Sequence, residues 1–134
     1  MARKTINVAA AIIERDGKVL ATERGYGEFE GGWEFPGGKI EPGETGEQAI
    51  VREIMEELEV DVVPHELLCT VEYDYPEFHL SMECFICTMA DEKLVLTEHH
   101  AARWLDAANL DSVAWLPADE EVIAKLKQRK ELQR

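Results

Sequence analysis

Glu53, Glu56 and Glu57 lie three and four residues apart in a stretch that reads as a helix. At roughly 100° per residue they share one arc, while Ile50, Val51, Ile54 and Leu58 form another. Like charges at such spacing cost a free helix about 0.2–0.5 kcal/mol per pair. A solvated acidic face is the plain explanation of a glutamate-rich helix. Three neighbours favour chemistry instead. Pro36-Gly37-Gly38 lies just upstream, where backbone N–H groups could approach a phosphate. Arg52 sits among the carboxylates, four residues before Glu56, and Glu44 adds another carboxylate ahead of the helix. One-sided carboxylates also suit hard cations such as Mg²⁺, which take oxygen ligands and keep several waters.

The elements that must position these groups follow from pattern. Thr5 to Glu14 is a strand rich in Ile, Val and Ala, and Asp16-Gly17 supplies a hairpin turn into a strand over Lys18–Thr22. Gly25 to Gly32 reads as a mobile glycine-rich loop, and Trp33–Phe35 as a short strand stopped by Pro36-Gly37-Gly38. Thr45 caps the acidic helix, with Gln48 completing a capping box, over about Gly46–Glu59. Val62–Tyr75 and Phe78–Met89 are two longer strands, Ala101–Leu105 a shorter one. Pro117-Ala118-Asp119 opens a last helix with Val122, Ile123 and Leu126 as its apolar stripe. Strands on either side of an early helix, with a closing helix, predict a mixed sheet packed between helices.

Composition bounds the function. The chain has 134 residues, 46% hydrophobic and 31% charged, which fits one globular domain over residues 1–134. No apolar run approaches the ~18 residues of a membrane span, no signal-peptide pattern is seen, and three cysteines make no disulfide framework. A reduced, cytoplasmic protein is expected. A net charge of −14 repels nucleic-acid backbone, so stable nucleic-acid binding is not expected. Phosphates would have to be drawn in by something other than bulk charge, for which divalent metal is the obvious candidate.

Gly38, five residues, Glu44, seven residues, Arg52-Glu53-Ile54, one residue, Glu56-Glu57, one residue, Glu59-Val60 resembles the Nudix box. One position departs: the family has glycine where this chain has Glu59, which bears on the helix end more than on the metal site. Trp33 to Glu41, Tyr73 to Pro76 with His79, and Leu116 to Lys127 are similar to MutT-type members. The resemblance implies an α/β Nudix fold, an αβα sandwich around a mixed sheet with a loop–helix–loop box. It implies hydrolysis of a nucleoside triphosphate to the monophosphate and pyrophosphate. It further implies Mg²⁺ as cofactor, with Mn²⁺ as a substitute, held by Glu53, Glu56 and Glu57 with the Gly37 or Gly38 carbonyl. Arg52 and Glu44 would complete the catalytic set by orienting carboxylates, and Glu53 or Glu98 would take the proton from water. Arg24 and Lys39 would grip phosphate oxygens.

Phe35 and Phe78 are expected at the base, and Asp119 stands where MutT-like proteins place a base-reading polar residue. An ionised aspartate only accepts, from the cytosine amino group or from guanine's N1–H and N2 amino group. Similarity to cytosine-type readers in Trp33 and in Leu116 to Asp119 leans the reading toward (d)CTP-like substrates over 8-oxo-dGTP; a helix N-cap is the other expectation for Asp119. A nucleotide-pool role, with a small nucleotide as partner in a monomer or homodimer, competes with two alternatives. These are a Nudix hydrolase of another nucleoside diphosphate derivative, such as a nucleotide sugar, and a non-catalytic nucleotide-sensing module. Cys84 and Cys87 have CxxC spacing, but on a strand their sulfurs diverge, so buried structural thiols are expected. His99-His100 reads as a polar loop. Trp104 and Trp115 read as core or pocket wall, and the basic C-terminal stretch as a solvated helix end.

Overall fold

The computed structural model describes residues 4–25, 27, 29–90 and 99–129, leaving aside the side chains of residues 99 and 100. Strand β1 (Lys4–Arg15) is its axis. Ala9 to Ile13 is an unbroken apolar run because both faces of this strand are covered. Ala9, Ala11 and Ile13 pack toward one helix, and Ala10 and Ile12 toward the other. β1 runs parallel to β6 (Phe78–Met89), which is antiparallel to β5 (Val62–Asp74). At its far end β1 turns through Asp16-Gly17, both at positive φ (51° and 76°), into β2 (Lys18–Arg24). β2 also pairs with β3 (Trp33–Glu34) and β7 (His99–Leu105). The mixed sheet lies between α1 (Gly46–Leu58) and α2 (Pro117–Lys127), as the pattern predicts. No helix among the described residues is long and apolar enough to cross a membrane.

Several expectations are corrected. Gly37–Lys39 is not simply a turn but strand β4, laid antiparallel on Val8–Ala10. Only glycine fits at Gly37, where an added Cβ would overlap the Ala9 carbonyl; one at Gly38 would push the Glu53 carboxylate from its place. His99 and His100 open β7 rather than lying in a loop. Val51 is exposed, whereas Glu57 is buried with Ala49, Ile50, Ile54 and Leu58. The buried arc is centred near Ile50; Glu57, seven residues on and about 20° away, falls inside it, while Val51, about 100° away, falls outside. The capping box of Thr45 and Gln48 is present, with bonds of 3.1 and 2.9 Å.

The helix ends at Leu58, one residue early, because Glu59 takes the left-handed conformation at φ 56°, ψ 38°. Its N–H still bonds the Met55 carbonyl at 3.1 Å, so the cap works with a residue that suits it poorly. A side chain in this conformation costs roughly 1–2 kcal/mol, partly offset by glycine's greater freedom when unfolded. Glu59→Gly is therefore expected to stabilise the fold by about 0.5–1 kcal/mol, read as a higher midpoint in denaturant. An unchanged or lowered midpoint would contradict the strained cap.

His79 bridges the β5–β6 turn, its Nδ1 2.7 Å from Asp74 and its Nε2 2.7 Å from Glu72. Asp74 first, then Glu72, raises its pKa above 6.5. The imidazolium clip is complete below 6.5 and its contribution is lost as pH rises through the raised value. An NMR titration of the ring is expected to show a midpoint above 6.5 that Glu72→Gln moves down. A wild-type midpoint at or below 6.5 would contradict the clip. The turn matters because its ends, Tyr75 and Phe78, face the site described next.

Candidate active site

Arg52 organises the acidic helix. Its Nε and Nη2 donate to both oxygens of Glu44 at 2.8 and 2.9 Å, and Nη2 also to the Lys39 carbonyl at 3.0 Å. Nη1 reaches Glu53 at 3.0 Å and Glu56 at 3.8 Å. One planar guanidinium thus ties the loop before α1 to two of its carboxylates, a task its fork geometry suits. The Arg52 bond, with the Glu41 N–H, lowers the Glu44 pKa to about 2. Glu44 is therefore a fixed anion at neutral pH.

Glu53, Glu56 and Glu57 line one cavity of about 580 Å³ with Gly37, Gly38 and Lys39. They do not converge as tightly as their spacing predicts: no three acidic, histidine or cysteine groups among the described residues form a closed metal cage. Arg52 draws Glu53 and Glu56 to itself, while Glu57 lies on the buried face of the helix. An open, all-oxygen set still fits Mg²⁺, which retains waters and needs few protein ligands. The missing side chain of Gly38 is what lets the Glu53 carboxylate lie close against the strand.

A second cavity of about 140 Å³ adjoins the first, sharing Arg24, Glu34, Gly37, Gly38 and Phe78 with it. Its walls are aromatic. Phe35 is buried and stacks on Trp115 at 4.8 Å, and Phe78 stacks on Tyr75 at 5.0 Å. Trp115 is thus the support of the pocket wall. Phe29 closes against Tyr75 at 5.3 Å. Sequence reasoning missed Glu34, Tyr75 and Phe29 as site residues. The resemblance over Trp33–Glu41 and Tyr73–Pro76 ran through Glu34 and Tyr75 without giving either a role.

Asp119 stands at the floor of this cavity and is 4% exposed. It is not the cap of α2. Leu116 holds that position, with Pro117 in the first turn, and no side chain caps the end. Asp119 instead turns inward, its Oδ1 3.5 Å from the Phe35 N–H. Burial, reinforced by the nearby Glu34 carboxylate, raises its pKa well above the usual aspartate value. That reverses the premise of an acceptor-only aspartate: the buried group favours the neutral acid, which both donates and accepts.

Arg24 lies on the shared wall, but it is engaged differently from the phosphate grip expected of it. Its Nε and Nη2 donate to Glu34 at 3.0 and 2.6 Å. Lys39 is exposed at the mouth of the larger cavity. Glu98 lies outside the described residues. At the C-terminal end Lys127 pairs with Asp111 at 2.7 Å, and Arg129 with Glu66 at 3.3 Å and Glu14 at 3.6 Å. These cations therefore meet the protein's own carboxylates.

A carboxylate-lined groove running into an aromatic pocket can hold a charged chain and a flat ring together. Residues 3–131 match the NUDIX domain. The chain belongs to the Nudix family. This Nudix chain is 41% identical over 90 residues to 8-oxo-dGTP diphosphatase of Proteus vulgaris, covering 66% of itself and 80% of that protein. It is 35% identical over 117 residues to CTP pyrophosphohydrolase of Escherichia coli K12, covering 87% of each. The solution structure of the Nudix hydrolase MutT from methicillin-resistant Staphylococcus aureus 252 superposes with a TM-score of 0.75 at 37% identity. That match covers 93% of this chain and 97% of the other. The Nudix chain is thus a hydrolase of nucleotides with an αβα fold. Nudix hydrolases generally require a divalent metal.

Proposed function

We propose that the chain acts as a single domain in the Mg²⁺-dependent hydrolysis of a nucleoside 5′-triphosphate to the monophosphate and pyrophosphate. The carrying observation is the buried Asp119 in an aromatic pocket that opens into the Glu53, Glu56 and Glu57 cavity. Those three glutamates, with a Gly37 or Gly38 carbonyl, would hold the ion. When bound, it supplies charge neutralisation along the triphosphate and activation of water. Arg52 and Glu44 position Glu53, which is placed to accept a proton at its carboxylate. Lys39 meets phosphate oxygens at the mouth, and Arg24 would do so from the rim by exchanging its bond to Glu34.

Phe35 and Phe78 sandwich or edge the base, and neutral Asp119 meets an edge carrying a donor beside an acceptor. The N7–H and O6 of 8-oxoguanine form such an edge, whereas unmodified guanine offers two acceptors there. The 8-oxo-dGTP reading is therefore preferred over the (d)CTP reading that the similarity to cytosine-type readers favoured. Cytosine, whose amino group adjoins N3, is the second reading, supported by the same donor–acceptor order. The test is kcat/KM for 8-oxo-dGTP, dGTP, dCTP, CTP and a nucleotide sugar under Mg²⁺. The proposal expects 8-oxo-dGTP to lead and dGTP to trail by roughly 10–100-fold, the scale of one base contact. A leading nucleotide sugar, or equal rates for dGTP and 8-oxo-dGTP, would contradict it.

A further inference from the structure

The antiparallel register sets Cys69 of β5 directly opposite Cys84 of β6. Both side chains face α2: Cys84 is in the buried cluster on that side and Cys69 packs at its edge. The Cys84 thiol donates to the Met82 carbonyl at 3.8 Å. Opposed Cα atoms in an antiparallel ladder are about 4.5 or 5.5 Å apart, depending on the rung. A disulfide spans Cα separations of roughly 4.4–6.8 Å, so either rung is within reach without shifting the strands. Cys87 packs in the other cluster, across the sheet, and is no rival partner. Access also differs, since Cys69 is partly exposed and Cys84 fully buried.

We propose that Cys69 and Cys84 are a modification site, forming a reversible disulfide between β5 and β6 under a hydroperoxide. The Cys69 thiolate attacks one peroxide oxygen, the O–O bond breaks, and hydroxide leaves to be protonated to water. The Cys84 sulfur then gives up its proton and attacks the sulfenic sulfur of Cys69, breaking the S–O bond and releasing a second water. Two thiols and one hydrogen peroxide give one disulfide and two waters; the sulfurs lose two electrons and the peroxide gains them. The roles follow from surroundings. The Cys84 thiol beside Cys69 lowers the Cys69 pKa, while that contact and burial raise the pKa of Cys84. The accessible sulfur thus attacks and the buried one resolves. The pair lies two rungs from Val71–Met82, and Met82 lines the aromatic cavity. It stands whatever nucleotide the enzyme prefers.

The native chain is treated with hydrogen peroxide, its remaining thiols are alkylated under denaturant, and it is digested without reduction for mass spectrometry. The expected product is an intramolecular Cys69–Cys84 cross-link, with a protein mass lower by two hydrogen atoms before alkylation and full reversal by dithiothreitol. Cys87→Ala should retain the cross-link and Cys69→Ser should lose it. A link through Cys87 or between two chains, a Cys69 sulfinic acid beside a free Cys84 thiol, or no loss of mass would each overturn the proposal.

Discussion

Glu57→Gln is expected to reduce kcat by at least ~10²-fold at saturating Mg²⁺, because the change removes charge from the cation face while keeping side-chain shape. Glu57 is the most informative of the three glutamates. It is buried within the apolar arc, unlike a surface charge that merely faces water. Glu56, with a side chain 61% exposed, could be explained as a solvated charge, but Glu57 could not. Circular dichroism should show the variant folded, since Gln fills the same space. Turnover within a few-fold of wild type would remove Glu57 from the metal face.

Asp119→Ala is expected to lower kcat/KM for the preferred substrate by roughly 10–100-fold, corresponding to ~1–3 kcal/mol for one base contact. Asp119→Asn should retain most of that activity, because the amide donates and accepts as the neutral acid does. The two also separate in pH. A carboxyl whose native pKa is raised holds its proton where the unfolded chain has lost it. Wild-type stability should then decline as pH rises from 3.8 toward the raised value, while Asp119→Asn lacks that component. Paired kcat/KM values and melting curves at several pH values check both halves. Equal activity in all three proteins would leave Asp119 without a part in base reading. A pH slope identical in wild type and Asp119→Asn would contradict the neutral acid.

Local pattern was enough where local forces decide. The capping box, the Asp16-Gly17 hairpin, the apolar first strand and the Arg52–Glu57 run were all legible because each depends on neighbours in sequence. Divergence of Cys84 and Cys87 followed from the two-residue period of a strand and is seen in their separate clusters. What escaped was set at long range. Pro117-Ala118-Asp119 looks like a cap, and only the Phe35 N–H, 84 positions away, shows where the carboxylate turns. Gly37–Lys39 has no side-chain alternation to betray a strand, and its reason for being glycine is the Ala9 carbonyl and the Glu53 carboxylate. Arg24 gave no sign of Glu34, its partner across the β2–β3 pairing.

The central claim is that the acidic groove works on the triphosphate while the aromatic pocket holds the base. Its most direct test is to incubate the enzyme with 8-oxo-dGTP and Mg²⁺ and separate the products by anion-exchange chromatography. The account predicts 8-oxo-dGMP and pyrophosphate in equal amounts, with both lost on chelation of the metal. Release of inorganic phosphate with 8-oxo-dGDP, or turnover that persists after chelation, would contradict it.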